Sequence, residues 1–233
     1  LALNPGRIDL GVGRAPGGTD LTSRALAFPN RPNTAELYPH LLSDLSGFLH
    51  DNLPAEHPFY GINATPVGAS APQLWTLGSS SGSVDLAAEL GLGFVLALFI
   101  GTHERPAEIF ERYKTKFRPN GKGLDQPQTI LSVACLCADS KEEAAYLAAP
   151  NMYWKVMAFR HGIREHIRSP EEALSLFNKL SLSDQSYYKE TLDSVVSGSA
   201  AECREELEQL AHHYNAEELM LVNVTHDFED RCN

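Results

Sequence analysis

The chain has no apolar run long enough to cross a bilayer. Its longest, Leu90 to Ile100, falls far short of the ~20 residues a spanning helix needs, and a buried strand accounts for it better. Positive charge is also short: 19 Lys and Arg stand against 30 Asp and Glu, a formal net charge of −11. An acidic surface of this kind argues against general nucleic-acid binding, which needs a basic footprint, and against docking on anionic lipid. It still admits a phosphate-bearing cofactor, which needs only a local cluster of Arg and backbone N–H groups. Cysteine is scarce, with Cys135, Cys137, Cys203 and Cys232 alone. No CxxC pair and no His/Cys cluster at zinc spacing occurs, so no metal site is expected. Cys135 and Cys137 share one face of an apolar strand and read as core thiols. That usage fits a reducing, cytoplasmic setting. No segment is long, polar and free of apolar residues, which excludes bulk disorder. There is no internal repeat, and no stretch reads as a targeting signal.

What is present suffices for one sizeable core, since 43% of the 233 residues are hydrophobic and α/β barrels of this length form single domains. Residues 1–233 are therefore read as one domain. The opening Leu1–Gly6, without Met, reads as the last turn of a helix stopped by Pro-Gly, so a preceding segment is expected. Strand-like and helix-like segments then alternate. Strands are expected over 8–13, 73–77, 93–100, 129–138 and 219–224. Helices are expected over 19–27, 39–53, 83–90 and 106–117, with Pro39 in a first turn, where its missing N–H costs little. Residues 54–72 read as a long loop. Ser140/Glu143, Ser169/Glu172 and Ser199/Glu202 have capping-box spacing and open three more helices. A last helix begins at Phe228 and is cut by the chain end. Apolar rather than alternating strands imply a parallel sheet covered by helices. On pattern alone, a doubly wound sheet and part of a (β/α)8 barrel both remain open.

Two segments carry chemistry. In Ile8-Asp9-Leu10-Gly11-Val12-Gly13-Arg14-Ala15-Pro16-Gly17-Gly18 a strand ends in a Gly-rich turn with an arginine at its tip. Small residues let a ligand approach the backbone, and the guanidinium holds an anion. Pro16 stands where a dinucleotide fingerprint needs its third glycine. In Leu77-Gly78-Ser79-Ser80-Ser81-Gly82-Ser83 hydroxyls and N–H groups gather at a strand-to-helix turn, which suits a phosphate. The plainer reading is that Ser83 caps the helix. The same turn matches G-x-S-x-G with Ser80 central, and Asp139 and His226 follow in the chain order of an α/β-hydrolase, although no oxyanion loop of the HGGG type accompanies them. His161 and His166, five apart, fall on different faces of a helix. His226 lies just past a strand end, where barrel sites sit.

Asn4-Pro5-Gly6-Arg7-Ile8-Asp9-Leu10-Gly11-Val12-Gly13-Arg14-Ala15-Pro16-Gly17 resembles the P-G-R-I-D-L-G-x-G-R-A-P-G signature of one branch of the bacterial luciferase-like flavin monooxygenases. Gly18-Thr19-Asp20 and Ser23-Arg24-Ala25-Leu26 continue it. Leu74-Trp75-Thr76-Leu77-Gly78-Ser79-Ser80, Ala138-Asp139-Ser140-Lys141-Glu142-Glu143-Ala144 and Thr225-His226-Asp227 are similar to later stretches of that branch. The resemblance implies a (β/α)8 TIM-type barrel, here partial and lacking its first βα units. It implies reduced FMN delivered by a separate flavin reductase, O2, and a small organic substrate to be oxygenated, with a homodimer as the complete form. Coenzyme F420 is the alternative cofactor, and a noncatalytic flavin-binding relative is the alternative role. Arg14 and Arg24 match family arginines on the FMN phosphate. Ser79, Ser80 and Ser83 match the phosphate loop, and Gly13 the position beneath the flavin ring. The family's E-H-H segment has no match here, residues 150–196 match poorly, and Gly198-Ser199-Ala200 replaces a Gly-Ser-Pro. On these departures the chain as given is expected to be an N-terminally incomplete fragment that is not a competent monooxygenase on its own.

Overall fold

The computed structural model describes residues 3–14, 19–26, 34–100, 105–121 and 123–231. The chain divides into two compact units, residues 1–96 with 108–129 and residues 97–107 with 130–233.

In the first unit β1 (Asp9–Gly13) is followed by α1 (Asp20–Leu26) and α2 (Thr34–Leu49). Then come β2 (Gln73–Gly78), α3 (Ser81–Glu89), β3 (Gly93–Ala97) and α4 (Glu108–Lys116). β2 lies parallel between β1 and β3. Leu10 and Val12 of β1 and Leu74 of β2 pack with Leu42, Leu45 and Leu49 of α2, while Leu41 of the same helix is exposed. α2 starts earlier than expected and holds Pro39 inside it, which forfeits one helical hydrogen bond. Tyr38 offsets that loss, for it packs on the same core and its hydroxyl meets Thr76 Oγ1 at 3.3 Å. The helix stops at Leu49 because Leu53 folds back over Gly47, where a Cβ would come within 2.6 Å of Leu53 Cδ2. In α4 Ile109, Phe110 and Tyr113 are buried, and the Tyr113 hydroxyl donates to Leu92 O at 2.6 Å. β3 ends at Ala97, three residues short of the expected Ile100.

In the second unit β4 (Thr129–Cys137), whose first residue belongs to the other unit, leads into α5 (Lys141–Arg160), α6 (Pro170–Phe177) and α7 (Leu182–Asp193). β5 (Val196–Gly198), α8 (Ala200–Tyr214) and β6 (Leu219–Val222) follow. β4 pairs in parallel with β6 through Leu131–Ala134 and with β5 through Cys135–Cys137. Ala134 and Leu136 pack against Ala144, Ala148 and Met152 of α5. The three expected caps are formed, with Ser140, Ser169 and Ser199 accepting from the amides of Glu143, Glu172 and Glu202. At α5 the returning carboxylate of Glu143 takes the amide of Asp139 rather than that of Ser140.

Four further expectations change. β5 was not foreseen; three residues are too few to show a period. Among the described residues only a 3-10 turn, Glu229–Arg231, follows Phe228. His161 and His166 do not share a helix, because His161 is the C-cap of α5 and bonds Asp184 Oδ2 at 3.2 Å. Cys135 and Cys203 are buried free thiols, but Cys137 is exposed, so only two of these three read as core; Cys232 lies outside the described residues. Among the described residues no helix is long and apolar enough to cross a membrane, and no cluster of His, Cys, Asp or Glu is arranged to hold a metal ion.

Candidate functional site

The site is built at one end of the first unit's strands. Gly13 pairs with Leu77 across β1 and β2, so Arg14, the residue after β1, stands beside Gly78, the last residue of β2, at the C-terminal end of the strands. Leu10 and Val12 face the helical core, which turns Asp9, Gly11 and Gly13 to the other face. Register places Trp75 and Leu77 of β2, and Gly93 and Val95 of β3, on that face as well.

Trp75 spreads sideways over its neighbour. A Cβ on Gly93 would fall 2.3 Å from Trp75 Cε3 and 2.5 Å from Cδ2, so only glycine fits there. The Cε3 edge of the indole covers β3, and Nε1 is on the opposite edge of the ring. Trp75 is 8% exposed, yet Nε1 is buried without a hydrogen-bond partner. A buried orphan donor costs free energy until something accepts from it. Beside it, a Cβ on Gly11 or Gly13 would meet nothing within 4 Å. Packing does not require these glycines, and the strand surface above them is open. The sequence flagged Gly13 but gave Trp75 no role; its being one of two tryptophans was the one available hint.

At the strand end the serine turn closes on itself. A Cβ on Gly78 would lie 2.1 Å from Ser83 Oγ, so this glycine admits the fold-back. Ser80, rather than Ser83, is the N-cap of α3. Ser83 is the third helical residue, and its hydroxyl donates to Ser80 O at 2.7 Å and accepts from Ser80 N at 3.3 Å. Ser81 and Gly82 open the helix, where amides have no intrahelical acceptor. The first turn of α3 carries no acid, whereas those of α2, α4, α5, α6, α7 and α8 all do. In a chain of net charge −11 this helix end keeps its positive dipole uncompensated.

The structure thus brings Gly13, Arg14, Ser79, Ser80 and Ser83 together at one rim of the strands. Arg14 is exposed beside the turn, and Arg24 is exposed on the last turn of α1; no contact ties Arg24 to the serines. Residues 15–18 of the Gly-rich turn lie outside the described residues. Ser80 Oγ meets Ser83 Oγ at 3.3 Å, and no histidine bonds it among the described residues. Asp139 and His226 are exposed in the other unit. The nucleophile reading of Ser80 gains nothing from this arrangement. The donors at this strand end suit an anionic group such as a phosphate.

The same fold is found in solved structures. Apo-MsnO8 matches with a TM-score of 0.73 at 30% identity, over 99% of this chain and 67% of that one. The oxygenating constituent of 3,6-diketocamphane monooxygenase from Pseudomonas putida, solved with FMN, matches with a TM-score of 0.59 at 17% identity, over 97% and 67%. These likenesses define the class as α/β of the luciferase-like, TIM-barrel type. In sequence, the family described as luciferase-like monooxygenase matches residues 2–215. YwcH of Bacillus subtilis, an uncharacterised protein, is 37% identical over 98% of this chain and 67% of its own length. The chain belongs to the luciferase-like monooxygenase family, and it spans about two thirds of the length of these relatives.

Proposed function

We propose that the protein is a flavin-dependent monooxygenase that binds reduced FMN, received from a separate reductase, and oxygenates a small organic substrate with O2. The supporting observation is the turn from Gly78 to Ser83, an acid-free helix end beside Arg14 in an otherwise acidic chain. In this reading Arg14 and Arg24 neutralise the phosphate, Ser79 and Ser80 donate to it, and Ser83, whose own proton goes to Ser80 O, holds the turn in place around it. Gly13 and Gly11 let the ring lie against β1, and the Trp75 N–H gives its unmade bond to a flavin acceptor. Bound reduced FMN supplies the electrons that divide O2 between the substrate and water. The acidic composition and the absence of a membrane-crossing helix among the described residues fit a cytoplasmic enzyme, and the complete protein is read as a homodimer.

Titration with FMN and with riboflavin, which lacks the phosphate, tests the site. Truncating one charge-assisted contact costs about 1.5–3 kcal/mol, so Arg14→Ala should weaken FMN roughly 10- to 150-fold and leave riboflavin unchanged. Equal affinity for the two ligands, or an unaltered FMN dissociation constant in the variant, sinks the assignment. Tighter binding of F420 than of FMN would keep the site and replace the cofactor.

A further inference from the structure

Lys155 is a buried charge for which the flavin site has no use. It sits on α5, 6% exposed, in a stretch of that helix that also buries Met152 and Val156. Its ammonium donates to Phe99 O at 3.1 Å, and among the described residues no carboxylate pairs with it. Burial draws the amine down to about 8, so near neutral pH most molecules still carry the proton. An ammonium has three N–H donors. One neutral acceptor leaves two unmade in apolar surroundings, an arrangement that costs free energy unless something completes it.

A second donor lies on the same side of β4. Ser132 is 0% exposed and its hydroxyl has no hydrogen-bond partner. Strand alternation puts it on the face of Ala134 and Leu136, which packs against α5. The segment that carries Phe99 runs beside it, since the amide of Leu98 donates to Ser132 O at 2.9 Å. Phe99 is two residues past the end of β3, and parallel α/β folds bind ligands beyond the C-terminal ends of their strands.

We propose that Lys155, with Ser132, is an anion-recognition site that takes the carboxylate or sulfonate group of the organic substrate. Naming the ligand a substrate rests on the monooxygenase reading; the preference for an oxyanion does not. The two donors bond the anionic oxygens, and the ammonium supplies the countercharge. The site selects acids over their amides or esters.

Calorimetric titration of the whole chain with butyrate, butanesulfonate and neutral butyramide provides the test. The anions should bind at least about tenfold more tightly than the amide, a difference of about 1.4 kcal/mol. Lys155→Met, which keeps an unbranched side chain of similar size without the charge, should erase that preference, and Lys155→Arg should retain it. FMN titration of the same variants should be unchanged. Failure of either anion to bind, or an anion preference that survives in Lys155→Met, overturns the proposal. Loss of FMN binding in the parent protein would count instead against the flavin reading, and the comparison of anion with amide needs no flavin.

Discussion

After β2 the chain runs through Gly78, Ser79 and Ser80 into α3; after β5 it runs through Gly198 and Ser199 into α8. The two turns share a design. Each places a serine at the N-cap, and each has a glycine whose Cβ would strike the third helical residue, at 2.1 Å from Ser83 Oγ in one and 2.7 Å from Glu202 Oε2 in the other. They differ in what that third residue is. Glu202 returns its carboxylate to the Ser199 amide at 2.9 Å and hydroxyl at 2.7 Å, so the helix end carries its own anion. Ser83 makes the same return with a neutral hydroxyl. The first arrangement is complete without a ligand, while the second leaves amides and dipole to an anion from outside. One side chain separates a cap that is complete in itself from the turn proposed to hold a phosphate.

Swapping that side chain should have the largest effect. Ser83→Glu gives α3 the capping box of α8. FMN affinity is expected to fall more than about 100-fold, as the new carboxylate meets the phosphate at close range, while the thermal midpoint holds or rises through better capping. A dissociation constant within threefold of the parent would show that the phosphate does not use this turn. A smaller loss should follow Gly78→Ala, whose methyl must push Ser83 aside at a cost of about 1–3 kcal/mol. Ser83→Gly in the same chain removes the clashing atoms. The pair should therefore recover stability and part of the FMN affinity, measured by chemical denaturation and flavin fluorescence. Additive losses would show that the contact is not what makes Gly78 necessary.

Much of this contrast was legible in the residues. Glycine and serine crowd one strand end, arginine stands at the tip of the strand beside it, and apolar strands between helices give the parallel α/β class. The choice of Ser80 over Ser83 as cap was not legible. Four serines compete within five residues, and the close approach of Gly78 to Ser83 decides between them. The role of Trp75 was hidden for a similar reason, because its face is fixed only by register with Gly11 and Gly93. β5 is three residues long and exists through pairing with Cys135–Cys137, some 60 positions earlier in the chain. Lys155 lies in a helix whose sequence shows little periodicity; a lysine there reads as solvated until its burial and its bond to Phe99 O are seen.

The smallest expected effect belongs to the closed turn. The Glu202 carboxyl is held below its ordinary value of 4.5, first by the Ser199 backbone N–H and then by the Ser199 hydroxyl, with desolvation working against both. A carboxylate whose folded value is depressed binds fewer protons folded than unfolded in that range, so stability rises with pH there. The contribution is complete above the ordinary glutamate value and is lost as pH falls through the lower folded one. Glu202→Gln keeps an acceptor for Ser199 without a titrating group. Thermal melts of parent and variant at steps from about pH 6 to about pH 3 should therefore diverge in slope, with the variant less sensitive to acid and slightly less stable at neutral pH. Other carboxylates titrate in the same window but are common to both chains, so the difference between the curves isolates Glu202. FMN affinity should not change, because the turn at α3 is untouched. Parallel pH curves would mean that the cap at α8 draws nothing from the charge of Glu202, and the contrast between the two turns would then rest on shape alone.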